Sequence, residues 1–391
     1  MSAAKTARLA HWITHSGSRL RTAPAFVEAF AETLGVEGVP VERITTGITL
    51  LHPLVFSSSC VWVKGQGVSE RIYPNVADTL RLYENSPLPA VYGQGQTVRC
   101  QIGRTPQPDE FPILADLRAE KYTDYVVMPL QFTDGSYKAM SFATRRRGGF
   151  LPAHLALLQA LISLLAMVLE TETLRRTART LMETYVGPHT GARVLEGSIT
   201  RGMQESIAAL IWLCDLRGFT ALSESLPGTT LIALLNDYFG AMCEAVSMRG
   251  GEVLKFIGDA MLAIFPLMGR STPEVAQAAI QATRDAERAI AALNAERQAR
   301  GDPIIRYGLA LHTGEVLYGN IGGPTRLDFT VIGPAVNVAA RLQGLCEPLG
   351  RRVLLSGAFA ALVETQTVVS LGEHRLKGIA ESQPVYGLAE E

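Results

Sequence analysis

Cysteine is scarce in this 391-residue chain: Cys60, Cys100, Cys214, Cys243 and Cys346 are the five present, and no two stand in a CxxC spacing. That excludes a disulfide framework and a zinc knuckle and points to a reducing compartment. An excess of one charge is lacking too. Thirty-six Lys and Arg stand against 37 Asp and Glu, a formal net charge of -1, so no whole-chain field draws the protein onto nucleic acid or an anionic membrane. No apolar run reaches membrane length: the richest, Leu155 to Leu169, covers 15 residues, contains Gln159 and Ser163 and ends at Glu170, whereas a spanning helix needs about 20. The N-terminal stretch through Arg19 carries charges and two histidines where a signal peptide needs unbroken apolar residues. Glycine and proline, 36 and 20, are near average, and 47% of residues are hydrophobic, so a collagen-like or mostly disordered chain is excluded. The expectation is a soluble cytoplasmic protein with real cores and no nucleic-acid partner.

At roughly 150 residues per domain the length predicts two or three domains. Helical spacing from Phe26 to Leu34 precedes three strand-like stretches, Ile44 to Leu51, Ser58 to Val63 and Ser69 to Tyr73. A Pro/Gly/Gln-rich segment, Ser86 to Gln96, reads as a loop. Ile113 to Glu120 then reads as a helix, and Asp124 to Phe132 and Ser136 to Thr144 as strands joined at the hairpin dipeptide Asp134-Gly135. Residues 1–150 thus read as one mixed sheet flanked by helices. In element order this resembles GAF-type sensory domains, which implies a regulatory module with a ligand of its own that the sequence does not name.

From Leu155 the pattern changes to a heptad seam, Leu155, Leu158, Ile162, Leu165 and Leu169, which breaks at Glu172 and resumes in a shifted frame at Leu174 and Leu181. Two readings stay open and are compatible with each other: a helix that closes the N-terminal core, and a parallel dimer helix that carries a signal onward. Residues 151–205, with a break at Gly187-Pro188, are therefore expected to be a helical linker, and residues 206–391 a second domain.

Chemistry concentrates in that domain. Ser206 to Cys214 is a near-continuous apolar run of strand length ending in Asp215, which puts a carboxylate at a sheet's rim. Gly218 permits a tight turn after it, and the backbone N-H groups around Gly218, Phe219 and Thr220 suit a phosphate. A second carboxylate, Asp259, sits at the tip of a predicted hairpin turning at Gly258-Asp259. Two carboxylates at neighbouring strand ends can hold hard divalent cations for phosphoryl chemistry. Taken singly, Asp215 reads more readily as a helix cap and Asp259 as an ordinary turn residue. Lys255 is odd in an apolar strand. Tyr307 to Gly314 reads as a strand running into a turn, followed by a stretch to Leu327 of unfixed register. Pro334 opens a helix on which Asn337 and Arg341 fall four apart, on one face, just after Thr330. His312 and Cys214 read as core residues, Arg145 to Arg147 as a solvated strand end.

DLRGFT, LKFIGDAML and FTVIGPAVNVAARL, in that order, resemble the catalytic domain of class III nucleotidyl cyclases over roughly Ser206 to Leu388. The resemblance implies a ferredoxin-like α/β (α+β) domain. It implies that Asp215 and Asp259, with the Leu216 carbonyl, hold two Mg²⁺ or Mn²⁺ ions per site, and that the turn after Asp215 cradles the triphosphate. Lys255 and Thr330 match the purine-reading pair of adenylate-type members; a lysine donor suits adenine N1 and meets no acceptor at the corresponding guanine position. Asn337 and Arg341 match the transition-state residues and Lys377 the lysine on the terminal phosphates. The implied protein is a homodimeric adenylate cyclase acting on ATP. A guanylate cyclase and a silent nucleotide-binding dimerisation module are the rivals.

Overall fold

In the computed structural model the spacing around Phe26 becomes α2 (Ala23–Val36), whose first turn is capped by Thr22, its hydroxyl accepting from the Ala25 amide. The structure describes all residues except 1–2, 50–54, 75, 198–203, 268, 325–326, 380 and 390–391. Contacts divide the chain into two units, Met1–Leu181 and Met182–Glu391.

In the first unit α1 (Ala3–His15) and α2 precede β1 (Arg43–Thr49), β2 (Val55–Val63) and β3 (Gly67–Pro74). There follow α3 (Ala77–Glu84), α4 (Leu88–Gln94), β4 (Val98–Gln101), α5 (Ile113–Ala119), β5 (Asp124–Gln131) and β6 (Tyr137–Thr144). The end of the first expected strand, at Leu51, lies outside the described residues. The six strands run in the order β3-β2-β1-β6-β5-β4, and every pairing is antiparallel, which corrects the expected mixed sheet. Parallel neighbours need a long crossover; of the two long connections here, β3 to β4 joins opposite edges and β4 to β5, which carries α5, joins antiparallel neighbours. The expected loop at Ser86 to Gln96 holds α4 instead. Its proline and glycine are helix signals: Pro89 stands in the first turn, and Gly95 closes the helix at φ 64°, where the Tyr137 ring leaves no room for a Cβ. The Arg145 to Arg147 stretch follows the end of β6 with Arg146 and Arg147 exposed, as expected, while the Arg145 guanidinium lies 4.1 Å from the Tyr122 ring centre.

Helix α6 (Pro152–Val186) settles one of the open readings. Leu158, Ile162, Leu165 and Leu169 are buried in the core that α2, β2 and β6 also build, so the Leu155–Leu169 seam closes the first unit's own core and is closed to a second helix. Glu170, also buried, accepts from the backbone N-H and hydroxyl of Thr133 in the β5–β6 turn and fixes the helix to the sheet. The exposed side of α6 carries a different stripe: Ala160, Met167, Thr171, Leu174 and Ala178.

The second unit begins with α7 (Pro188–Leu195) and β7 (Gln204–Leu216), then α8 (Phe219–Ser225), α9 (Gly228–Met248), β8 (Glu252–Ile257), β9 (Ala260–Pro266) and α10 (Thr272–Arg300). It continues with β10 (Tyr307–Gly322), β11 (Leu327–Ile332), α11 (Pro334–Gln343), β12 (Val353–Ser356), α12 (Gly357–Ala360), β13 (Val368–His374) and β14 (Gln383–Leu388). The sheet order is β13-β14-β12-β10-β7-β9-β8, with β11 paired to β10; among the described residues only the β10–β12 pairing is parallel. From Ala209 to Cys214 β7 is apolar and buried because both faces are covered there. Leu210, Trp212 and Cys214 pack under α9 and α10, while Ala209, Ile211 and Leu213 pack with Ala335 and Ala339 of α11. Helices α6 and α9 are long and apolar enough, by composition, to cross a membrane. Their most apolar faces, Leu158 to Leu169 and Leu234 to Val246, lie within these cores.

β10 runs unbroken through the turn expected at Gly314. That glycine serves close packing: a Cβ there would lie 2.7 Å from the Ala335 Cβ of α11.

Candidate active site

The site grows from the C-terminal end of β7. Cys214 pairs with Met261 of β9, so the turn between β8 and β9 lies beside Asp215, and that turn, with Gly258 at φ 65°, presents Asp259. The two carboxylates therefore meet at one edge of the sheet. Burial and then the Asp259 charge push the Asp215 carboxyl up to about 6. A half-buried pair of carboxylates that repel one another, only partly offset by the Arg217 charge, is a hard-oxygen environment, and it fits the divalent cations expected there. Asp215 and Asp259 would hold such ions with the backbone oxygen of Leu216, whose side chain is anchored in the core. Among the described residues no cluster of three or more His, Cys, Asp or Glu gathers, so the centre rests on this pair. Beyond it Gly218, at φ 72°, turns the chain into α8, with Phe219 packed on the core and Thr220 exposed.

One partner of Asp215 escapes the sequence reading. The Gln343 side-chain amide, at the end of α11, donates to Asp215 Oδ1. Nothing in the spacing of Asp215 and Gln343 announces it, because it depends on how α11 crosses β10.

Lys255 and Thr330 come near one another on β8 and β11, but the lysine's direct partner is Asp328, whose Oδ2 lies 2.5 Å from Lys255 Nζ. Asp328 precedes Thr330 by two and so shares its side of the strand. Thr330 is 4% exposed, and its hydroxyl has no hydrogen-bond partner among the described residues. A buried hydroxyl of this kind costs free energy until something occupies it.

Helix α11 buries Ala335, Ala339 and Leu342 against the sheet and leaves Asn337 and Arg341 exposed on the opposite side. The two residues share a face, as their spacing predicts, but it is turned away from the strands that carry Asp215. Lys377 is exposed in the segment after β13, its neighbour Leu376 buried. A cavity of about 450 Å³ at the start of α11, lined by His312, Glu315, Gly333 and Pro334 among others, includes neither aspartate. His312 in its wall is held neutral by burial, its pKa pushed down to about 4, and its Nδ1 lies 2.8 Å from the Ser356 hydroxyl. Cys214 is fully buried, with the Tyr238 hydroxyl on its sulfur.

Residues 202–389 match the family described as the adenylate and guanylate cyclase catalytic domain. The chain is 37% identical over 150 residues to an adenylate cyclase of Anabaena cylindrica, covering 37% of this chain and 29% of that one. It is 31% identical over 173 residues to adenylate cyclase 1 of Rhizobium meliloti, covering 44% of this chain and 26% of that one. The chain thus spans under a third of the length of these curated relatives. In fold it is similar to the structure of a bacterial light-regulated adenylyl cyclase, with a TM-score of 0.50 and 23% identity over 68% of this chain and 86% of that one.

Proposed function

With a nucleotidyl cyclase catalytic domain in residues 202–389, we propose that the protein is an adenylate cyclase that converts ATP to 3′,5′-cyclic AMP and pyrophosphate. The observation that carries this reading is the convergence of Asp215 and Asp259 at one sheet edge, with the Asp215 carboxyl pushed up to about 6. The ribose 3′-hydroxyl gives its proton to solvent as its oxygen attacks the α-phosphorus, and the bond from that phosphorus to the oxygen bridging to the β-phosphate breaks, the oxygen leaving with pyrophosphate. Two Mg²⁺ or Mn²⁺ ions, when bound, supply Lewis acidity to the attacking and leaving oxygens. Arg341 meets the charge that builds on the α-phosphate, Asn337 orients the ribose, and Lys377 receives the terminal phosphates. Lys255, its ammonium steered by Asp328, donates to adenine N1, and Thr330 offers its unused hydroxyl to the same base.

The active form in this reading is a homodimer. The outward aspect of Asn337 and Arg341 on α11 supports a site shared between two chains, carboxylates from one and transition-state residues from the other, which a two-fold axis repeats twice. The exposed stripe on α6 supports the same arrangement. Met167, Thr171, Leu174 and Ala178 alternate at spacings of four and three, the pattern of a coiled-coil seam, and Met167 and Leu174 are 63% and 62% exposed. Residues 1–150 act as a GAF-like regulatory module in a cytoplasmic protein, and the catalytic half has the ferredoxin-like arrangement of its family.

The test is the full-length protein incubated with ATP or with GTP and Mn²⁺, the products separated by chromatography. Cyclic AMP should form at least tenfold faster than cyclic GMP. Preference for GTP would establish the guanylate reading, and no turnover of either nucleotide the silent binding module.

A further inference from the structure

We infer that Gln343 is a positioning residue for the Asp215 carboxylate: it takes one oxygen, fixes the rotamer and leaves the other oxygen for the cation. This rests on the cyclase reading of the carboxylate pair, and two observations on different elements support it. The first is the hydrogen bond itself, from the Gln343 amide nitrogen to Asp215 Oδ1, with the same nitrogen 3.5 Å from the Gly308 carbonyl oxygen. The second is the notch that admits the amide. Gly308 stands directly across from Asp215 in the β7–β10 ladder, and a Cβ on it would lie 2.8 Å from Gln343 Nε2 and 3.0 Å from Cys346 Cβ. The position opposite the carboxylate is thus kept bare of side chain, and the glutamine fills the space.

The chemistry of an amide suits this place. A lysine or arginine would neutralise Asp215 and compete with the cation, and a glutamate would add a third negative charge with no donor. Glutamine supplies an N-H donor without charge, which orients a carboxylate while leaving its charge for the metal. Its side chain leaves from the last residue of α11, so the same bond fastens the end of that helix to the carboxylate. Asn337 and Arg341 on the outer face of α11 are held by a helix secured in this way.

The experiment uses full-length Gln343→Met, Gln343→Ala and Gly308→Ala proteins beside the wild type, each checked for folding by circular dichroism. Bound Mn²⁺ is measured by electron paramagnetic resonance with a non-cyclising ATP analogue, and turnover is measured separately. Methionine keeps the length and packing of glutamine but lacks the donor. Gln343→Met should weaken Mn²⁺ binding by about 10- to 100-fold, the usual cost of losing a partner that orients a metal ligand. Its apparent KM for ATP at saturating Mn²⁺ should stay within about twofold. Gly308→Ala, which expels the amide without touching it, should behave alike. Gln343→Met binding Mn²⁺ as tightly as a cyclase-active wild type overturns the inference and leaves the cyclase reading standing. A wild type that binds no Mn²⁺ overturns both.

Discussion

Two chains inactivated in different halves of the shared site should restore each other. Asp259→Ala is the cleaner lesion on the carboxylate side: its side chain sits on a hairpin tip and makes no hydrogen bond to another described residue, whereas Asp215→Ala would strand the Gln343 amide. Arg341→Ala is the lesion on the other side, on an exposed helix face where truncation leaves the core intact. Loss of one group aimed at transition-state charge costs about 10²- to 10³-fold, so each parent should run near or below about 1% of wild type. Mixed in equal amounts and allowed to exchange, half of the dimers are mixed. Each mixed dimer holds one undamaged site and one that lacks both groups, so turnover per chain should climb to about a quarter of wild type. Cyclic AMP formation is followed while differently tagged subunits are co-purified to prove exchange. A mixture that stays at the mean of its parents, with mixed dimers demonstrated, would place both halves of the site within one chain and refute the argument.

Tyr318→Phe removes a hydroxyl that donates to Glu252, a carboxylate 5% exposed and also bonded by Thr190; urea unfolding should show a loss of about 1–2 kcal/mol, and a change under about 0.5 kcal/mol would remove this network from the account of the fold. Leu174→Cys should give a disulfide-linked dimer on mild oxidation, whereas Leu169→Cys, at a side chain 1% exposed, should not; the reverse pattern on a non-reducing gel would put the dimer seam back on the Leu155–Leu169 face. His312, held near 4 by burial against an ordinary value of 6.5, binds its proton more readily when the chain unfolds. Its contribution to stability is complete above pH 6.5 and is lost as the pH falls toward 4. Asp215 acts in the opposite sense over part of that window, since its raised carboxyl takes up a proton in the folded state first. The comparison is therefore between the wild type and His312→Gln: the wild type should gain unfolding free energy relative to the variant as the pH rises from 4 to 6.5; identical slopes would show that His312 is not the group being titrated.

What the sequence shows of the fold follows from how much each pattern excludes. β7 was legible because a run such as Leu210 to Cys214 has few ways to be buried other than as a central strand, and Asp215 at its end then had to reach the rim. The seam on α6 was not, because heptad spacing describes any buried helix stripe: Leu158, Ile162 and Leu165 satisfy it by packing on their own sheet. Gly314 illustrates the same ambiguity for glycine. The sequence offers a turn, and only the approach of Ala335 reveals a packing contact.

The candidate site divides along the same line. Asp215, Asp259, Lys255, Asn337 and Arg341 stand at motif positions, where local spacing carries the information. Asp328 and Gln343, the residues that hold two of them in place, depend on pairings 73 and 128 residues apart in the chain. Such partners are set by strand register and by helix crossing, which no local window contains. A motif thus names the groups that meet the substrate and is silent about those that aim them. In the proposed reading, removing an aiming group should show first as weaker cation binding at Asp215 or altered purine choice at Lys255, before it shows as loss of fold. In residues 1–150 no motif stands out, and the family match begins only at residue 202. Antiparallel order and buried apolar faces account for that sheet's stability without specifying a ligand, so a ligand for the regulatory module proposed there has to be sought by binding measurements on the intact chain.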